Sequence, residues 1–410
     1  MRILLAHNRY RPEAPSGEND VVDQESAALA ARGHEVALFQ RHSGDIAGWP
    51  KLRQATLPAR VVWSTESRRA MAAEIVRFAP DVVHVHNTFP LLTPSILYAC
   101  RDASVPVVAT LHNYKLGCAS GDLYRDGAVC HDCLGGSARP ALIHGCYRGS
   151  RPATLPIVTG ATIHARTWSN YVSAFIFVSA AQASLLEPVG LPAERRFVKH
   201  NFVPANASPA AAKEHQVAFV GRLDPAKGAL FLMRAWDAFR HRRPASRLRL
   251  TAAGGGPLAE DFRRWAADRD SVMMAGYVSR TEVSQILGRS LAAVIPSQWE
   301  ETFGMVAVEA MAAGTAPIAT AHGSFPELIT PGQDGALFPP TDIEALVDLL
   351  SEVDDRPGDW EDIGRRAATT YGRRFTVEAG VNRLLAIYRF AIDYPVTSAG
   401  IAGTAGRSSS

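Results

Sequence analysis

The chain has 410 residues, more than one hydrophobic core usually serves, so two domains of about 200 residues each are expected. Its composition, 47% apolar and 20% charged, excludes disordered, fibrous and membrane-spanning classes. A formal net charge of +3, from 43 Lys and Arg against 40 Asp and Glu, is too small to demand nucleic acid as a partner.

The apolar runs, such as Ile3 to Ala6 and Ala174 to Val178, fall far short of the roughly 18 residues that cross a bilayer. With no signal-peptide core at its start, the chain is expected to be cytoplasmic, and its five cysteines reduced. A strand is expected over Arg2 to Ala6, then a polar loop through Gly17, then a helix with Val21, Val22 and Leu29 on one side and Gly33 at its end. Further short apolar runs at Val36 to Phe39, Val82 to Val85, Val105 to Leu111 and Phe175 to Val178 alternate with helix-length stretches. That alternation indicates βαβ units and a parallel sheet covered on both faces. The stretch "NFVPANASPAAAKE", residues 201 to 214, reads as a linker. Strands then resume at Val217 to Val220, Leu248 to Ala252, Val272 to Met274, Leu291 to Ile295 and Pro317 to Ala319, giving a second α/β domain. The last residues, 396 to 410, are small and polar and are expected to be disordered.

Chemistry concentrates in the second half. In "SQWEETFGMVAVEAMAAGTAPIAT", residues 297 to 320, Gly304 allows close backbone approach and a helix is expected from Met305 to Gly314. The unpaired N–H groups opening that helix suit a diphosphate, and Glu301 and Glu309 would flank it, accepting hydrogen bonds from sugar and ribose hydroxyls. In "FVGRLDPAKG" a glycine turn is followed by Arg222 and Lys227, two cations suited to the charge that grows on a departing diphosphate. "TAAGGGPL" places Gly254, Gly255 and Gly256 at another strand end.

The order G-R-x(4)-K-G, glycine-rich strand end, Gly276-Tyr277 and E-x(7)-E resembles the second domain of glycosyltransferase family 4, retaining enzymes with the GT-B fold. "PDVVHVHN" (80 to 87) and "VVATLHNY" (107 to 114) resemble its first domain, and "GSFPELI", with Glu327, its later signatures. The resemblance implies an α/β, GT-B architecture, two Rossmann-like doubly wound domains facing each other across a cleft. On this reading residues 1–200 form the acceptor domain, 215–372 the nucleotide-sugar domain, and 373–395 a C-terminal helix returning to the first. It implies that Arg222 and Lys227 bind the donor diphosphate, Glu301 the transferred sugar and Glu309 the ribose, and that His112 stands at the active-site cleft. Gly221, Gly255, Tyr277, Phe303, Gly304 and Met305 would complete the donor site. Gly17 would join them, although Pro15-Ser16-Gly17-Glu18 replaces the family's usual Gly-Gly pair. His84 and His86 read as core or supporting histidines. The implied activity is metal-independent transfer of a hexosyl or related sugar from a nucleotide diphosphate sugar to a hydroxyl acceptor, with no cofactor required. Glycan or glycolipid precursors, lipid-linked ones among them, fit as acceptors, with peripheral association at the inner membrane face.

An insert at 118–146 carries Cys118, Cys130, Cys133 and Cys146, the number of thiolates a structural zinc takes, though the outer spacings are not those of a standard finger. Arg139, with Arg148 and Arg151 just after the insert, makes this region basic, compatible with an anionic acceptor or a membrane surface. Asp268-Arg269-Asp270 spells a metal-binding D-x-D but reads as a charged turn. Dehydrogenase chemistry is excluded by the lack of G-x-G-x-x-G after the first strand. A zinc-stabilised binding or scaffolding protein and a nucleotide-sugar epimerase of the same fold are the alternatives.

Overall fold

The computed structural model describes residues 1–10, 17–205 and 212–396. Most of the expected loop before Gly17, the middle of the expected linker and nearly all of the expected disordered tail therefore lie outside the described residues.

The chain divides into two compact units. Met1–Asp122, His131–His200 and the residues from Gly380 onward form the first; Leu123–Cys130 and Asn201–Ala379 form the second. In the first, the strands are β1 (Arg2–Arg9), β2 (Glu35–His42), β3 (Val82–Asn87) and β4 (Val107–Leu111). A small antiparallel pair, β5 (Tyr124–Arg125) and β6 (Ala128–Val129), falls in the second unit. β7 (Ala174–Phe177) and β8 (Arg196–Val198) complete a six-stranded sheet of order β2-β1-β3-β4-β7-β8, parallel throughout. Every residue of β3, β4 and β7 is buried, as a parallel sheet covered on both faces requires.

The second unit repeats the plan with β9 (Gln216–Val220), β10 (Arg249–Ala253), β11 (Val272–Gly276), β12 (Ala292–Ile295), β13 (Ala316–Thr320) and β14 (Ala336–Phe338). The order β11-β10-β9-β12-β13-β14 is that of a dinucleotide-binding fold, reversing direction between β9 and β12. Phe231, Trp236, Phe239, Phe262 and Phe338 pack its core with the strands' Val, Leu and Ile side chains.

The expected strands are all present. β8 and β14 escape the sequence reading because each is three residues long and only Phe338 among them is fully buried, too short for a periodicity to register. β1 runs three residues past its expected end through His7, Asn8 and Arg9, polar residues that a strand pattern disfavours; His7 and Asn8 are nevertheless buried. Asp268 and Asp270 sit in the turn between a helix and β11, and Arg269 there bonds to Asp237.

Candidate active site

Ligands of open α/β sheets bind beyond the carboxyl ends of strands, at the point where strand order reverses. In the second unit that point lies beyond β9 and β12. After β9 the chain turns at Gly221 and passes under Gly254, whose φ is +135° and whose Cβ, were it present, would stand 1.9 Å from the Gly221 carbonyl oxygen. The two strand ends can meet only without a side chain there. Asp224 then closes a turn by accepting from the Lys227 backbone N–H at 2.8 Å and pairs with the Arg222 guanidinium. Lys227 is thereby aimed across to the segment after β12, where its ammonium bonds Glu301 Oε1 at 2.5 Å and lies 5.0 Å from the Trp299 ring centroid.

Glu301 is buried and also accepts from Ser297 Oγ at 2.8 Å. Burial pushes its carboxyl pKa up, but the Lys227 charge and the hydrogen bonds outweigh it and hold the carboxyl below its usual range. The Trp299 indole N–H is buried without a well-formed hydrogen bond, though close enough to help hold that carboxylate. His322 Nε2 and Thr320 Oγ1 both bond the Ser297 carbonyl at 2.8 Å, which fixes the loop. Gly304, with φ +79°, begins the helix Met305–Ala312; a Cβ there would meet the Phe325 ring at 2.4 Å. The helix therefore opens beside Glu301, with Glu309 half-buried in its second turn.

Arg222, Lys227, Glu301, Gly304 and Met305 are thus brought to one strand-end region. Tyr277 is 70% exposed and lies against Gly255, where a Cβ would fall 2.3 Å from its ring. Phe303 is buried, its ring 6.2 Å from that of Phe375, so it supports the loop from the core side. The sequence reading passed over Asp224; "D-P-A-K" after a strand is a turn signal that could have found it.

The first unit has its own cluster beyond β1, β3 and β4. His112 follows β4, and its Nε2 is 2.9 Å from His86 Nδ1 at the end of β3. His84 bonds Tyr388 through Nδ1 and Thr110 through Nε2, both at 2.7 Å. Beneath them Lys199 donates to Glu25 at 2.5 Å, both wholly buried. Glu25, His84 and His86 each place a ligand atom within 4.8 Å of the others, a spacing open to a metal ion, but the Lys199 ammonium takes the cation's place. Burial drives the imidazole pKa values down, to about 3 for His112 and about 4 for His7, and well below normal for His84 and His86. All four are therefore neutral at physiological pH. Glu25 was not anticipated, although it stands four residues from both Val21 and Leu29 on the buried face of the helix Gly17–Ala31, a placement that marks it. Gly17, the first residue of that helix, has open space around it.

A cavity of about 620 Å³ opens beside His112. Its polar end holds His86, Asn87, His112 and Asn113; Pro156, Ile157 and Val158 contribute an apolar wall. Cys118 and Cys133 also line it, and Cys118 Sγ lies 3.3 Å from Ser120 Oγ. Cys146 belongs to the same unit and Cys130 to the other; all four are half-buried. Among the described residues no helix is long and apolar enough to cross a membrane.

Comparison with known proteins agrees on the two units. The "Glycosyltransferase Family 4" family model matches residues 15–207, and that of "Glycosyl transferases group 1" matches 205–370. Glycogen synthase of Mycobacterium tuberculosis is 28% identical over 397 residues, covering 87% of both chains. D-inositol 3-phosphate glycosyltransferase of an Arthrobacter species is 27% identical, covering 93% of this chain and 92% of its own. Among solved structures, Anabaena HepE in complex with UDP-glucose superposes with a TM-score of 0.63 at 18% identity, covering 94% and 98%. With family matches running from residue 15 to residue 370 over two doubly wound units, the chain belongs to glycosyltransferase family 4 and is a glycosyltransferase of the GT-B fold.

Proposed function

We propose that this glycosyltransferase is a retaining enzyme that moves a hexosyl group, glucose foremost, from a UDP-sugar to a hydroxyl acceptor without a catalytic metal. The observation that carries the reading is the Lys227–Glu301 pair beside the N-terminus of the helix Met305–Ala312. Lys227, Arg222 and that helix end together supply the positive charge that a departing diphosphate needs. Glu301, held ionised, accepts hydrogen bonds from sugar hydroxyls, and Glu309 from the ribose. The leaving phosphate oxygen takes the acceptor proton as the new bond forms on the same face, so that the anomeric configuration is kept. His112 orients a hydroxyl at the polar end of its cavity. UDP-glucose as donor is supported by the HepE complex.

The acceptor is proposed to be a lipid-linked glycan precursor at the cytoplasmic face of the membrane. The apolar cavity wall supports this, as do the exposed Ile143, Leu155 and Ile163 on helices that begin at Arg139 and Arg151. Incubation with UDP-glucose and polyprenyl-linked sugars should give a product one hexose heavier by mass and α-linked by its anomeric proton coupling. Transfer to water alone from every UDP-, GDP- and ADP-sugar tried would overturn the reading.

Cys118, Cys133 and Cys146 stand in the first unit and Cys130 in the second, and among the described residues the four thiols do not form a group spaced to share one metal ion. Turnover is expected to survive exhaustive EDTA treatment, because Lys227, Arg222 and the helix end balance the diphosphate. Recovery with Mg²⁺ or Mn²⁺ alone would contradict metal-independent transfer.

A further inference from the structure

The buried groups behind His112 decide which face it shows. His84 has both ring nitrogens engaged, by Tyr388 and Thr110. Glu25 has one oxygen engaged by Lys199, while its Oε2 is buried with no hydrogen bond. His86 Nε2 is also buried with no hydrogen bond, and these two atoms face each other at 3.7 Å. A carboxylate oxygen opposite an imidazole nitrogen favours the tautomer that carries its proton on that nitrogen. His86 then holds its proton on Nε2, and its Nδ1 is left as an acceptor. The hydrogen bond between His86 Nδ1 and His112 Nε2 at 2.9 Å can be donated only by His112. The two rings lie nearly parallel, 13° apart.

We propose that Glu25 and His86 are positioning residues that lock His112 in the Nε2–H tautomer and so present its Nδ1 lone pair as an acceptor for a substrate hydroxyl. The inference rests on the reading of His112 as the residue that orients a hydroxyl. It adds a direction: the hydroxyl donates to His112, and His112 neither donates to it nor carries charge. Burial, by keeping the imidazoles neutral, supports the assignment. The groups facing His86 are Glu25 and His7 from the first strand and helix, His84, His112 and, through Glu25, Lys199.

The test is ¹⁵N NMR of the histidine-labelled full chain, in which two-bond couplings distinguish the tautomers, combined with transfer kinetics. Wild type is expected to show His112 protonated on Nε2. In His86→Phe that preference should be lost, and kcat should fall about 10- to 100-fold with the donor KM within about twofold. His86→Asn offers a carbonyl oxygen near the place of Nδ1 and should keep the tautomer and most of kcat. A native His112 protonated on Nδ1 overturns the proposal even if no variant folds, and so does unchanged kcat in folded His86→Phe. A chain that shows the expected tautomer but transfers no sugar supports the lock and counts against the transferase reading of His112 alone.

Discussion

Replacing Lys227 by Met is expected to lower turnover about 10²- to 10³-fold, the loss seen when one preorganised group is withdrawn from a developing negative charge. The same substitution strands Glu301, which is 4% exposed and relies on Lys227 for its low pKa. Removing one partner of such a pair costs about 3 kcal/mol or more, because the remaining charge must stay buried unpaired or take up a proton. Stability and catalysis should separate in the double variant Lys227→Met/Glu301→Gln. A neutral amide no longer needs the cation, so the urea midpoint should return toward wild type while turnover stays at or below that of the single variant. Full turnover in folded Lys227→Met would remove the diphosphate site from this strand end. A double variant no more stable than the single would show that the pair is not the reason for the instability.

A second large effect should appear in acid. His112 and His7 have folded pKa values of about 3 and about 4, both lowered first by burial, against about 6.5 in the unfolded chain. The unfolded state therefore binds protons that the folded state refuses. Stability is fully present above the unfolded value and is lost as pH falls from about 6.5 toward about 4. Each such histidine removes about 1.4 kcal/mol per pH unit in that window, so these two together remove about 3. His84 and His86 shift in the same direction. Glu18, whose carboxyl burial pushes up, works the other way and softens the loss. Urea midpoints measured at pH 7.5 and pH 5.5 should differ by several kcal/mol in derived stability. A midpoint that does not move over that interval would mean that these imidazoles are solvated.

That Arg222, Lys227, Glu301 and Gly304 meet at one strand end was legible in the sequence for a local reason. Arg222, Lys227, Glu301 and Gly304 sit in short strand-to-helix loops, and a loop's residue types report directly on what its backbone and charges can hold. The first unit's cluster was not legible in the same way. His112 could be placed at a strand end, but its setting depends on partners far away in the chain: Glu25 with Lys199, 174 residues apart, and His84 with Tyr388, 304 apart. No local period reveals that an acidic residue on a helix's buried face has a lysine waiting for it. The roles of Tyr277 and Phe303 illustrate the converse. Sequence placed both in the donor loops, and packing puts Tyr277 against a glycine and turns Phe303 into the core.

The origin of Tyr388 has a consequence for how the chain is made. The helix Val377–Asp393 supplies Leu384, Ile387 and Tyr388 to the interior of the first unit, and Phe390 lies 4.8 Å from Phe197 of β8. A ribosome must therefore finish every strand of the second unit before it delivers the residues that close the first. Until then the nascent first unit carries an uncovered apolar face and a His84 short of one hydrogen-bond partner. Of the two units the earlier in the chain is thus the later to be completed, and its apolar face closes only when this helix arrives.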